Sequence, residues 1–159
     1  MITGLRQDNQ HCAISNDATP EMQVFEVPLF IVICTRVANM DKLFPNVIPK
    51  GKMGIVVLAP MVRAGSLALR SIALNFGCDL VWSEELIDFK LAETRRVVND
   101  SLETVDYLVD YPGKTVVFFR THACEKGRVI LQLGTGSPES ALKAAKHVEG
   151  DVAGIDVNM

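Results

Sequence analysis

Metal-site cysteine spacing is missing from this chain. Its four cysteines, Cys12, Cys34, Cys78 and Cys124, stand far apart, with no CxxC pair and no His–Cys cluster at ligand spacing. That argues against a zinc site or a disulfide frame and for reduced thiols in an intracellular, cytoplasmic protein. A basic excess is missing too: 16 Lys and Arg face 19 Asp and Glu, for a net charge of −3. A segment that gripped nucleic-acid phosphates unaided would carry a strongly basic face. Long apolar runs are also absent. The best, "VPLFIVIC" (27–34), contains Pro28 and is soon followed by Arg36 and Asp41. It falls far short of the roughly 20 residues that span a bilayer. Glu21 and Glu26 stand where a signal peptide carries basic residues, so neither a membrane span nor an export signal is expected. Last, there is no dinucleotide cradle. The turn after the first strong strand pattern reads "APMVRAG" (59–65), without GxGxxG, which weakens a Rossmann reading.

What remains is enough for one domain: 159 residues, 48% hydrophobic. Residues 1–50 read as an irregular or disordered extension. "MITGLRQDNQHCAISNDATPEMQ" has no sustained period, Pro20, Pro28, Pro45 and Pro49 interrupt the segment, and "NVIPKGKMG" (46–54) is connector-like. Residues 51–159 read as the folded unit. "GIVVLA" (54–59) predicts a buried strand. "GSLALRSIALNFG" (65–77) predicts a helix with Leu69, Ile72, Ala73 and Phe76 on its apolar face, Ser66 as N-cap and Gly77 as stop. "DLVWS" (79–83) predicts a second strand, and "EELIDFKLA" (84–92) a short helix or ordered loop.

The alternation then breaks. "RRVVND" (95–100), "TVDYLVD" (104–110) and "TVVFFRTH" (115–122) predict an excursion with strand content, turning at "YPGK" (111–114). "RVILQLG" (128–134) resumes with a strand. "SPESALKAAKHVEG" (137–150) is the best helix, with Ser137 as cap, Pro138 at its first position and Gly150 at its end. Val152–Val157 predicts the last strand. This order implies parallel strands with crossover helices, about four strand units, which is half of an eight-stranded barrel or a small open sheet.

Ligands gather at the carboxyl ends of such strands. Those ends carry Pro60, Met61 and Arg63; Ser83, Glu84 and Glu85; Gln132, Gly134 and Thr135; and Asp156 and Asn158. Pro and Met beside Gln and Asn amides suit a flat heteroaromatic ligand, though motif-free strand ends often look alike.

Two stretches carry a closer likeness. "VVLAPMVRAGSLALRSIALNFGCDLVWSEELID" (56–88) and "RVILQLGTGSPESALKAAKHVEGDVAGIDVNM" (128–159) resemble the tRNA-dihydrouridine synthases, most closely the eukaryotic type acting at position 20 of the D-loop. The motifs "LAPMVR", "EELID", "QLGT" and "GIDVNM" occur in the family's order. The resemblance implies an N-terminal half of a (β/α)8 TIM barrel, about four βα units, preceded by the irregular extension. It implies FMN as cofactor, NADPH or NADH as reductant, tRNA as partner, and no metal. By the same resemblance Ala59, Pro60 and Met61 lie along the flavin and Gln132 bonds the isoalloxazine edge. Asn158, Arg63 and Glu84 match residues of the flavin and substrate mouth. The family's catalytic cysteine follows the "VNM" strand end, so the acid is expected just after Met159 and no catalytic residue within the chain, which alone would be inactive.

Other readings stand beside these. Met61 could be plain core, and Glu85 a solvated helix start. "GTGS" (134–137) could form an anion nest or merely begin a helix. His11, His122 and His147 read as structural or solvent-facing. Arg95 and Arg96 could touch RNA or simply be exposed, and Cys124 reads as a loop thiol. The parent could instead be another FMN-dependent barrel reductase of a small molecule, or the chain a non-catalytic truncated product.

Overall fold

The computed structural model describes residues 55–159 and the backbone of Val32–Thr35. Strand β1 (Val32–Thr35) pairs antiparallel with β2 (Ile55–Leu58). After β2 come helix α1 (Leu67–Asn75), β3 (Leu80–Ile87), α2 (Asp88–Ala92), β4 (Arg95–Asn99), β5 (Thr104–Tyr111), β6 (Lys114–His122), a 3-10 turn (Ala123–Glu125), β7 (Val129–Gly134), α3 (Pro138–Val148) and β8 (Gly154–Asn158). One sheet runs β1-β2-β3-β7-β8 and the other β4-β5-β6. Among the described residues, β2, β3, β7 and β8 are mutually parallel. The second sheet is an antiparallel meander inserted between α2 and β7. The rest of residues 1–50, and with it His11, lies outside the described residues; Val32–Thr35 is a strand within the segment expected to be irregular.

Local chemistry accounts for the helix ends. Gly77 adopts φ 94°, Cys78 N–H donates to Ala73 O at 3.0 Å and Gly77 N–H to Leu74 O at 3.1 Å. That paired closure of α1 needs a left-handed residue, and glycine adopts that conformation without a Cβ clash. Ser66 occupies the cap position without a side-chain bond. At α3, Ser137 does cap, accepting from Ser140 N–H, with Pro138 and Glu139 in the first turn.

Two expectations need correction. The apolar face set for α1 is rotated: Ile72 is 51% and Phe76 87% exposed, while Arg70 is 2% exposed. Leu69 and Ala73 pack on the core as expected, and Leu74 joins them there in place of Ile72 and Phe76. The turn of the helix inward at Arg70 is explained by Glu125, 0% exposed, whose carboxylate accepts from Arg70 Nε at 2.8 Å and Nη2 at 2.7 Å. Second, residues 84–87 continue β3 and are not helical. A register shift between Trp82 and Glu85 lets pairing resume as Glu85↔Gln132, Leu86↔Leu133 and Ile87↔Gly134. Ser83 fills the gap: its hydroxyl accepts from Gln132 N–H at 3.0 Å and donates to Glu84 O at 2.7 Å.

Apolar packing separates the two faces of the parallel sheet. Leu58, Cys78, Val81 and Val129 pack under α1. Leu86, Leu91, Leu131, Leu133, Ala144 and Val148 pack with Tyr107 and Phe119 of the meander. The meander is therefore part of the core and not an appendage. On the opposite face lie Ile55, Val57, Leu80 and Trp82.

Candidate functional site at the strand ends

Strand parity decides which side chains reach the face away from the helices. Leu131 and Leu133 point to the helical core, so Ile130, Gln132 and Gly134 of β7 point the other way. Their register partners on β8 are Gly154, Asp156 and Asn158. Gln132 Nε2 donates to Asp156 Oδ2 at 3.0 Å, and Trp82 Nε1 donates to the same oxygen at 3.2 Å. The indole thus bridges from β3 past β7 to β8, over the apolar floor of Ile55, Val57 and Leu80. Gln132 Oε1 accepts no hydrogen bond from a described residue.

One layer further up, a cavity of about 330 Å³ is lined by Glu85, Asp88, Phe89, Gly134, Thr135 and Asn158, among others. A Cβ at Gly134 would run into the Glu85 carboxylate, so glycine is what leaves that acid its place. Thr135 Oγ1 donates to Asp88 Oδ2 at 2.5 Å. That bond is the leading reason the Asp88 carboxyl sits below its usual range, and the mouth therefore keeps a charged rim. Two amides of the "GTGS" turn are engaged within the fold: Thr135 N–H donates to Asn158 O at 3.1 Å, at the strand end, and Ser137 N–H to Thr135 Oγ1 at 3.2 Å, at the helix start.

The residues singled out from the sequence divide into groups. Gln132 and Asn158 share the inner face of adjacent strands. Ala59 and Pro60 are half-buried just beyond β2, and the Met61 side chain packs toward the core under α1. Arg63 is exposed with φ 60°, a left-handed conformation that costs an L residue energy. Glu84 does not line the mouth cavity. It lines a separate space of about 390 Å³ beneath the meander, with Gly65, Ser66, Arg70, Phe119 and Arg120. Its neighbour Glu85 lies at the mouth instead, because the register shift after Trp82 exchanges their directions. Trp82 is not among the strand-end residues read from the sequence, and Asp156 is among them but with no partner or role. Alternation along "DLVWS" and "GIDVN" could have put both on one face, but only the register brings them to Gln132.

The remaining polar residues of interest have partners within the fold. Arg95 meets Asp110 at 3.4 Å and Arg96 meets Asp151 at 2.7 Å. Tyr107 donates to that same Asp151. The Asp151 carboxyl lies below its ordinary range, first because of Arg96, and burial pushes the Tyr107 phenol upward. His122 Nδ1 accepts from Cys124 N–H at 3.0 Å, and His147 Nε2 lies 3.1 Å from Thr94 Oγ1. Among the described residues no cluster of His, Cys, Asp and Glu could hold a metal, and no helix is long and apolar enough to cross a membrane.

Comparison with known proteins adds three findings. The family model described as "Dihydrouridine synthase (Dus)" matches residues 57–159. The chain is 48% identical over 106 residues to a tRNA-dihydrouridine(20) synthase (NAD(P)+) of Schizosaccharomyces pombe, covering 65% of this chain and 22% of that protein. It is 49% identical over 109 residues to the identically named protein of Saccharomyces cerevisiae, covering 66% and 28%. The chain therefore spans about a quarter of the length of these curated relatives.

Proposed function

Because this chain belongs to the dihydrouridine synthase family, we propose that the protein carrying it reduces a D-loop uridine of tRNA to 5,6-dihydrouridine. Its reductant is NADPH or NADH, its cofactor FMN and its setting the cytoplasm. In this reading β2, β3, β7 and β8 with their helices are the first staves of a (β/α)8 barrel.

The residues present fit a flavin. Gln132 offers a carbonyl oxygen with no partner among the described residues, above an apolar floor closed by Trp82. Such a combination suits a flat ring with a polar edge. When bound, FMN supplies the hydride that adds to the uracil ring. The work of this chain is to bind and orient. Gln132 reads the ring edge, and the backbone of Ala59, Pro60 and Met61 forms the rim at the end of β2. Asn158 lies where the base and the ring meet. Trp82, Ile55, Val57 and Leu80 exclude water from below, which strengthens every polar contact above them. Arg63 is assigned to the outer mouth, and Glu84, in the separate space beneath the meander, to its support. No catalytic acid is assigned within this chain.

The observation that carries the proposal is the register of β7 and β8, which sets Gln132 beside Asp156 and Gly134 beside Asn158 on one face, inside the span matched by the family. The test is to purify the protein with its flavin and incubate it with unmodified tRNA and NADPH. Nucleoside mass spectrometry is expected to find dihydrouridine in the D-loop. Failure to bind FMN, or NADPH oxidation that leaves every uridine unreduced, overturns the proposal.

A further inference from the structure

Gln132 has one amide hydrogen committed to Asp156 Oδ2 at 3.0 Å, and the Asp156 carboxylate has a second donor in Trp82 Nε1 at 3.2 Å. An ionised carboxylate only accepts, and an indole N–H only donates. The Gln132 amide can therefore meet Asp156 in one sense alone, nitrogen toward the carboxylate. Rotated by half a turn, it would set two acceptors against each other. The consequence is a fixed outward face: the Gln132 carbonyl oxygen, with no partner among the described residues, and the second N–H beside it. A carbonyl next to an N–H is the complement of a C=O/N–H ring edge, such as the imide edge of an isoalloxazine.

We infer that Asp156, braced by Trp82, is a positioning residue for the flavin: it locks the Gln132 amide so that its carbonyl and one N–H together face the ring's C=O/N–H edge. The inference rests on the flavin reading above. Asp156 touches no ligand in this scheme and acts wholly through Gln132. What it supplies is preorganisation: a free glutamine side chain has several rotamers and two amide senses, and ordering them on binding would weaken affinity.

The experiment measures the FMN dissociation constant by flavin fluorescence for the wild-type protein, Q132A, D156A, the double variant and D156N, with circular dichroism as a check on folding. In a wild-type background D156A is expected to weaken FMN binding about tenfold, the scale of one well-placed hydrogen bond. In the Q132A background the same change is expected to cost less than about twofold, because the side chain it orients is gone. D156N is expected to bind within about threefold of wild type. Its carbonyl oxygen must face the donor-only indole of Trp82 and so still accepts from Gln132. An equal loss from D156A in both backgrounds overturns the inference, since a merely structural residue would weaken binding regardless of Gln132. A tenfold or greater loss in a folded D156N overturns it whether or not D156A folds. Wild-type protein that binds no FMN takes down the flavin reading itself, and the inference with it.

Discussion

The ion pair between Arg70 and Glu125 should be the most sensitive point of the fold. Both side chains are fully enclosed, at 2% and 0% exposure, and they meet through two parallel bonds of 2.8 and 2.7 Å. Arg70 also donates to the carbonyls of Gly65 and Arg120, and its guanidinium lies 5.5 Å from the Phe119 ring centroid. Glu125→Ala leaves that cation buried with, among the described residues, two carbonyls and an aromatic face. Removing one partner of a buried pair costs about 3–5 kcal/mol; the surviving contacts argue for the lower end, about 3 kcal/mol. With a urea m-value of roughly 1.5 kcal/mol/M, the midpoint of unfolding should fall by about 2 M. Circular dichroism in a urea series measures it. Replacing both residues with Met and Leu removes the stranded charge and should recover most of the loss. Asp110→Ala, which breaks the solvent-exposed Arg95 pair, should leave the midpoint where it was. A Glu125→Ala midpoint within about 0.3 M of wild type would refute the reasoning.

Two glycines should respond oppositely to alanine. At Gly65 the new methyl meets the backbone of Ser83 and Glu84, which cannot retreat, so about 1–3 kcal/mol of stability should be lost in the same urea assay. At Gly134 it meets the flexible end of Glu85; stability should hold while FMN affinity falls as that side chain is pushed across the mouth. The carboxyls of Asp151 and Asp106 are held below their usual range, chiefly by Arg96 and Arg120. Their contribution is thus full above about pH 4 and lost as pH falls through their depressed values. Thermal melts should drop steeply below that pH, and Asp151→Asn should flatten the drop; an unchanged profile would count against it. Trp82, the chain's one tryptophan, forms the floor of the proposed ring site, so its emission should be quenched as FMN is titrated in, and unaltered emission at saturation would argue that the ring binds elsewhere.

Much of the architecture is legible in residue patterns. The β-branched runs of β2 and β7, the caps of α3 and the Gly77 stop of α1 are local signals, and local chemistry honours them. The side chains at Gln132 and Asn158 could be read as strand-end residues for the same reason. Long-range partnership is what defeats the reading. Periodicity turns Ile72 and Phe76 inward, whereas a glutamate 55 positions away claims Arg70 for the interior. A register shift that no local pattern announces sends Glu85 and not Glu84 to the mouth. The contact of Trp82 with Asp156 spans 74 positions and requires the strand order β3-β7-β8 to be known first.

The meander is fastened at both extremities, by Glu125 just after β6 and by Tyr107 and Arg96 reaching Asp151 just before β8. An insertion tied at one point would open and close by itself, exchanging its amides faster than the sheet beneath. Tied at two, it has to come away from α1 and from the approach to β8 together, so its amide protons should exchange on the slow timescale of the parallel strands, as one cooperative unit.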